Sequence, residues 1–223
     1  MKTVLITGVR KGIGRALAEK FLAEKYAVIG TVFSSADSEA PAGLAAVYPL
    51  DLSSERSIAD GAESVARAGR KIDILINNAG VLLDEDETAV VVEKLRATLE
   101  INLLGLIDFT ERIIPLMNAG GHIVNISSSA GSLELTGEAS HFLGHYPSYK
   151  ISKAALNMYT RTLALEQKGR LIISAVHPGW VRTEMGGAEA DLSPAEAAAA
   201  IFDFAVGQPE TGQFWFNGEK FPW

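Results

Sequence analysis

Apolar positions along this chain fall into short unbroken runs separated by longer stretches of mixed pattern. Val4-Leu5-Ile6 is too short and too continuous for a helix and reads as a fully buried strand. Ala27–Phe33, Ala45–Leu50, Ile72–Ile76, His122–Ile126, Leu171–Val176 and Phe214–Phe216 extend the series to seven strands. Between them the pattern turns helical. Ala16–Leu22 is the first such stretch, and a second runs to about Ala68 behind a Ser53 or Ser54 cap. A long helix is predicted near Thr88–Met117, with Gly120-Gly121 breaking the chain before the next strand. Pro147 suits the first turn of another helix, and Ser193-Pro194 opens the last, which runs through Phe204. Strands alternating with helices predict one doubly wound α/β domain over residues 1–223, with a seven-stranded parallel sheet.

Composition narrows the chemistry. The 223 residues suffice for one large core, and a formal net charge of −7 argues against a nucleic-acid partner. Zero cysteines exclude disulfides, thiolate nucleophiles and Cys-ligated zinc. No apolar run is long enough to cross a bilayer, and the N-terminal apolar run is too short for a secretory signal, so a cytoplasmic protein without a membrane partner is expected. His141 and His145 have i,i+4 spacing, but Gly144 intervenes and the glutamate of a zinc helix is missing, so no metal is expected. Asp84-Glu85-Asp86-Glu87 looks at first like a cation loop; it reads better as a solvated helix entry whose acids complement the dipole.

Positive charge is concentrated at one place. Thr7-Gly8-Val9-Arg10-Lys11-Gly12-Ile13-Gly14 joins the first strand to the first helix, with Arg15 beyond it. Strand, glycine-rich turn and helix in that order gather free N–H groups and a positive dipole end into an anion site. Glycines there permit close approach of a diphosphate. The second strand ends in Val32-Phe33-Ser34-Ser35 with no carboxylate until Asp37, where a site selective for NAD places an acid. With Lys11 nearby, a 2′-phosphate gains a charge-assisted hydrogen bond of roughly 1.5–3 kcal/mol. That corresponds to about a ten- to hundredfold preference for NADP(H).

Later stretches supply candidate reactive groups. Tyr149 and Lys153 lie one turn apart on a helix face, where an ammonium lowers a phenol's pKa toward the range useful for proton transfer. Alone, that spacing is also what a solvated helix face produces. Asn102 sits among Ile101, Leu103 and Leu104, where an amide needs partners. Ser127-Ser128-Ser129 follows a strand at its carboxyl end, where open α/β sheets bind ligands. His177 follows another, but with Tyr149 and Lys153 present it is not needed as a proton donor.

Taken in order, Thr7-Gly8…Gly12…Gly14, Asp51-Leu52, Asn77-Asn78-Ala79-Gly80, Asn102, the serine cluster, Tyr149…Lys153 and Pro178-Gly179 resemble the short-chain dehydrogenase/reductase family. His177–Thr183 and Gly212–Trp223 look like the branch of carbonyl reductases and bacterial C-factor-like proteins. The resemblance implies hydride transfer between NADP(H) and an aldehyde, ketone or alcohol, a small-molecule substrate. Tyr149 is then the general acid, Lys153 tunes it and holds the nicotinamide ribose, Ser128 binds the substrate oxygen, and the Asn102 carbonyl holds a relay water. Gly8, Gly12, Ile13 and Gly14 would line the diphosphate, with Arg10, Lys11 and Ser34 on the phosphate and ribose side. Asp51 and Leu52 would meet adenine, and Asn78, Ala79 and Gly80 the adenosine side. Pro178, Gly179, Val181 and Thr183 would lie along the nicotinamide. The same branch keeps open a non-catalytic NADP(H)-binding signalling or sensor protein.

Ser128 and Tyr149 are 21 positions apart, more than is usual in that family. The surplus, Leu133 to His145, is expected as a lid over the substrate. A monomer or homodimer is expected, and the aromatic tail Phe221-Pro222-Trp223 should dock on the core or on another subunit.

Overall fold

The computed structural model describes residues 1–34, 39–138 and 144–223. Its strands are β1 (Thr3–Ile6), β2 (Ala27–Val32), β3 (Ala46–Pro49), β4 (Ile72–Asn77), β5 (Met117–Ile126), β6 (Ile172–Val176), β7 (Gln213–Phe216) and β8 (Glu219–Lys220). They form one sheet in the order β3-β2-β1-β4-β5-β6-β7-β8. The first seven are parallel, and β8 pairs antiparallel with β7. The expected seven-stranded sheet therefore gains a short eighth strand. Its turn, Asn217-Gly218, has φ of 48° and 80°, the left-handed pair that a two-residue hairpin needs.

Helices cover both faces: α1 (Gly12–Ala23), α2 (Glu55–Arg67), α3 (Val92–Leu99), α4 (Leu106–Ile113), α5 (Pro147–Glu166) and α6 (Pro194–Ala205). Burial on both sides is why the strands read as continuous apolar runs. Alternate residues go to opposite layers: Leu5, Ile29, Leu75, Ile123 and Ile173 meet α2, α4 and α5, while Val4, Ile6, Val28, Ile76 and Val124 meet α1 and α6.

Three expectations are corrected. The long helix starts at Val92, not Thr88, and is interrupted by a π-helical segment, Glu100–Gly105. Gly120-Gly121 lies inside β5, where the register slips against β4, and does not precede the strand. Asp84 is fully buried, although Glu85 and Asp86 are solvated as expected. Ser54 is the cap of α2, accepting from Ser57 N–H, and Ser193 forms a reciprocal capping box with Glu196 on α6.

The tail does dock: the Trp223 ring stacks on Phe214 at 5.6 Å, and Arg161 lies 5.3 Å from its centroid. Its carbonyl accepts from Glu134 N–H at 2.8 Å, tying the root of the expected lid to the C-terminus. His141 and Phe142, expected in that lid, lie outside the described residues, as does Asp37.

His122 is buried in β5, its Nδ1 3.1 Å from the Ala205 carbonyl and its Nε2 2.9 Å from Ser174 Oγ. Nδ1–H donates and Nε2 accepts, so the neutral ring is the form that fits. Burial pushes its pKa down to about 4 from an ordinary 6.5. Below pH 6.5 the unfolded chain takes up a proton that the folded chain refuses, so this contribution is complete above pH 6.5 and lost as pH falls toward 4. Urea melts of wild type and His122→Gln at a series of pH values check this. The stability gap between them should narrow by about 3 kcal/mol from pH 7 to pH 4; a constant gap would contradict the assignment.

Candidate active site

The glycine turn after β1 is closed by backbone contacts that leave no room for side chains. Thr7 Oγ1 accepts from the N–H groups of Asn78 and Ala79 at 2.9 and 3.0 Å, while Asn78 Nδ2 donates to the Thr7 carbonyl at 2.9 Å. A Cβ on Gly14 would lie 2.1 Å from the Gly8 carbonyl oxygen, and Gly8 and Gly12 have φ of 74° and 57°. The N–H groups of Gly8 and Val9 donate to the Thr31 carbonyl, tying the turn to the end of β2 that leads to Ser34. Helix α1 then begins with no side-chain cap and no acid in its first turn, so its N–H groups and dipole end face the turn uncompensated. A glycine cradle against an uncapped helix end fits a dinucleotide diphosphate.

Around this cradle the expected cofactor residues sort into groups. Half-buried Ile13 packs against the apolar layer beneath α1. Lys11 is exposed and paired with Glu184, and half-buried Arg10 also lies in reach of that carboxylate's field. Arg15 turns away, its guanidinium donating to Glu19 and to the Glu39 carbonyl. Asp51 accepts from the Ser53 N–H and hydroxyl, and the Leu52 side chain is in the core. After β6, Pro178 and Gly179 turn the chain, and buried Val181 bridges to Leu192. Thr183 then comes over the glycine turn: its methyl carbon lies 3.3 Å from where a Cβ on Gly12 would sit.

The reactive groups converge at the carboxyl ends of β4 and β5. Tyr149 and Lys153 occupy successive turns of α5 and are 8% and 6% exposed. Close contact of the Gly131 backbone with that of Lys153 sets the helix: a Cβ on Gly131 would be 2.6 Å from the Lys153 carbonyl carbon. Lys153 Nζ donates to the Ile126 carbonyl at 2.8 Å, at the end of β5. Ser128 Oγ accepts from Ala130 N–H at 3.1 Å and lies near enough to the Tyr149 phenol to lower its pKa. Its neighbours in the cluster are committed elsewhere. The Ser127 hydroxyl donates to Asn157 Oδ1 at 2.6 Å, and the Ser129 N–H donates to His177 Nδ1 at 3.3 Å.

Asn102 stands in the π-helical segment. Its amide exchanges two 2.8 Å hydrogen bonds with the Val81 backbone and donates to Ser152 Oγ at 3.1 Å. A Cβ on Gly80 would lie 3.2 Å from Asn102 Oδ1 and 3.8 Å from Lys153 Nζ, so both face the space above that glycine. Single-turn π segments recur at functional sites because they shift the helical hydrogen-bond register locally.

Burial dominates the electrostatics. It pushes the Tyr149 phenol up to about 12, against the lowering by Ser128, and Lys153 down to about 8. The expected lowering of the phenol by Lys153 is not found: burial raises it instead, and the ammonium sits 5.5 Å from the ring centroid, bonded to a backbone carbonyl. At neutral pH the pair is therefore a protonated phenol beside an ammonium.

Sequence reasoning missed the supporting residues Ser152, Asn157 and Asp84. The first two lie one and two turns along the α5 face that carries Tyr149 and Lys153, a spacing that could have flagged them. The Asp84 carboxylate accepts from Ser148 N–H at the start of that helix, and no local spacing signals it.

Comparison with known proteins places the chain in a family. The chain is 31% identical over 227 residues to a short-chain dehydrogenase of Penicillium roqueforti, covering 93% of this chain and 90% of the relative. Among solved structures, an NADPH-bound carbonyl reductase from chicken fatty liver superposes with a TM-score of 0.89 at 25% identity, covering 100% of this chain and 94% of that one. A short-chain dehydrogenase/reductase from Burkholderia multivorans with bound NADP gives a TM-score of 0.86 at 28% identity, covering 100% and 99%. Residues 2–192 match the short chain dehydrogenase family model, and the chain belongs to that family of oxidoreductases.

Proposed function

We propose that the whole chain acts as one NADP(H)-dependent carbonyl reductase, reducing an aldehyde or ketone to the alcohol and able to run the reverse oxidation. The observation that carries this reading is the burial of Ser128, Tyr149 and Lys153 together at the carboxyl end of β5, with Lys153 Nζ and Asn102 Oδ1 both facing the space above Gly80. Bound NADPH supplies the hydride. The hydroxyls of Ser128 and Tyr149 adjoin one point where a substrate oxygen can accept from both, in a site largely closed to water. As charge builds on that oxygen, Tyr149 gives it the phenolic proton. Lys153 keeps a positive charge behind the phenolate that remains, and Asn102, facing the same space, offers a carbonyl for a water that returns the proton.

The protonation state favours reduction. A neutral phenol beside an ammonium is the donor form, and it persists until Lys153 deprotonates near pH 8. Reductive kcat/KM should be flat at neutrality and fall as pH rises past about 8; a profile rising through that range would contradict these roles.

NADP(H) selectivity rests on Arg10, Lys11 and Ser34 and on the missing acid at the end of β2. The two solved structures compared above carry NADPH and NADP. One charge-assisted hydrogen bond to the 2′-phosphate corresponds to about a ten- to hundredfold higher kcat/KM for NADPH than for NADH. Rates with each cofactor on small aldehydes, diketones and quinones check this, and comparable values would reject the preference. Clear NADPH binding with no oxidation on any carbonyl would favour a nucleotide sensor instead.

A further inference from the structure

Helix α5 begins badly by its own means. Its N-cap position is Tyr146, held at φ 37° and ψ 56°, with no side-chain cap bond. A tyrosine in the left-handed region is disfavoured, and its ring cannot accept from the orphan N–H groups of the first turn. Yet Tyr149, the third helical residue, must be held to hydrogen-bond accuracy against Ser128.

The missing acceptor comes from 64 residues away. Asp84 is fully buried, and its Oδ2 accepts from the Ser148 N–H at 2.5 Å. The loop presenting it is braced: the Asp84 carbonyl accepts from Glu87 N–H, and Glu87 accepts from Lys94 of α3 at 2.6 Å. Two more polar atoms are buried at the contact without a partner, Asp84 Oδ1 and Ser148 Oγ. Ser148 belongs to both contacts, so a small rotation of its hydroxyl toward Oδ1 would let one carboxylate take both of its donors. An uncompensated carboxylate inside a protein is costly unless a positive end faces it, and the start of α5 is such an end.

We propose that Asp84 is a positioning residue for the reaction: a cap supplied from the loop after β4 that fixes the first turn of α5 and thereby the Tyr149 phenol. It touches neither substrate nor cofactor. This rests on the proton-donor role of Tyr149 proposed above. The loop after Asn77-Asn78-Ala79-Gly80 and the helix carrying Tyr149 and Lys153 are thus joined through one carboxylate, so the adenosine-side motif and the proton donor share a support.

Two variants separate capping from packing. Asp84→Asn keeps an acceptor oxygen and turns its amide toward Ser148 Oγ; Asp84→Leu keeps the volume and removes the acceptor. Hydrogen exchange of the Ser148 amide, followed by NMR, should accelerate at least tenfold in Asp84→Leu and stay within threefold of wild type in Asp84→Asn. Steady-state kcat with NADPH should follow the same order, at least tenfold lower for Leu and within threefold for Asn, with NADPH affinity unchanged in both. Wild-type exchange in Asp84→Leu would overturn the proposal, as would equal losses in the two variants. If wild type binds NADPH but reduces no carbonyl, the reaction reading fails and the exchange result alone decides whether Asp84 caps α5.

Discussion

Replacing Tyr149 by Phe should lower kcat by about 10²–10⁴-fold, the range general acid catalysis supplies, and leave NADPH affinity within about twofold. The change removes one hydroxyl from a side chain that is 8% exposed and otherwise packed by its ring, so the helix and the glycine cradle lose nothing else. What is lost is the phenolic proton that lies beside Ser128 and Lys153. The hydride can still be delivered, but negative charge must then build on a substrate oxygen that receives one hydrogen bond from Ser128 and no proton. Stopped-flow NADPH oxidation with a small aldehyde, paired with fluorescence titration of NADPH, reads the two effects separately. Turnover within threefold of wild type would remove Tyr149 from the reaction. A parallel loss of cofactor binding would instead show that its hydroxyl supports the dinucleotide.

How far this site could be read from the sequence depends on whether its parts are local. The glycine turn, the Tyr149–Lys153 pair and the serine cluster are each written within a few residues, the first and last at strand ends and the pair on one helix face, where hydrophobic periodicity places them. Alternating strands and helices told of a parallel, doubly wound sheet, but the strand order and the short Asn217-Gly218 hairpin that adds β8 came only with the structure. Asp84 was not legible. Its neighbours Glu85 and Asp86 are solvated, and nothing within the acidic run tells which member turns inward; the reason lies at Ser148, in another helix. The direction of the phenol's pKa was likewise out of reach, since spacing reports that Lys153 is near Tyr149 but not that both are stripped of water. Local chemistry is written in order along the chain. Burial and long-range capping are set only once the layers close.

The π-helical segment shows the same division and yields the second large expectation. Asn102 and Gly105 fall within it, and Gly105 presses on the loop after β3 so closely that a Cβ there would lie 1.9 Å from the Leu52 carbonyl oxygen and 2.8 Å from its carbon. Both are backbone atoms, so neither can step aside as a flexible side chain would. Gly105→Ala must therefore push the helix away from Leu52 by more than an ångström. Overpacking of this kind costs about 3 kcal/mol, which for a chain of this length lowers the melting temperature by about 6–12 °C. Asn102 lies less than one turn away and is held by Val81 and Ser152, so the same displacement strains the bonds that keep it beside Lys153. A misplacement near 1 Å can cost about a hundredfold in rate, so kcat should fall even at temperatures where the variant is folded. Gly61→Ala in α2, whose nearest atom would be 3.3 Å away against 1.9 Å for Gly105, is the milder comparison and should lose much less. If Gly105→Ala melts within roughly 2 °C of wild type and keeps its rate, the close approach of Leu52 is not what shapes this helix.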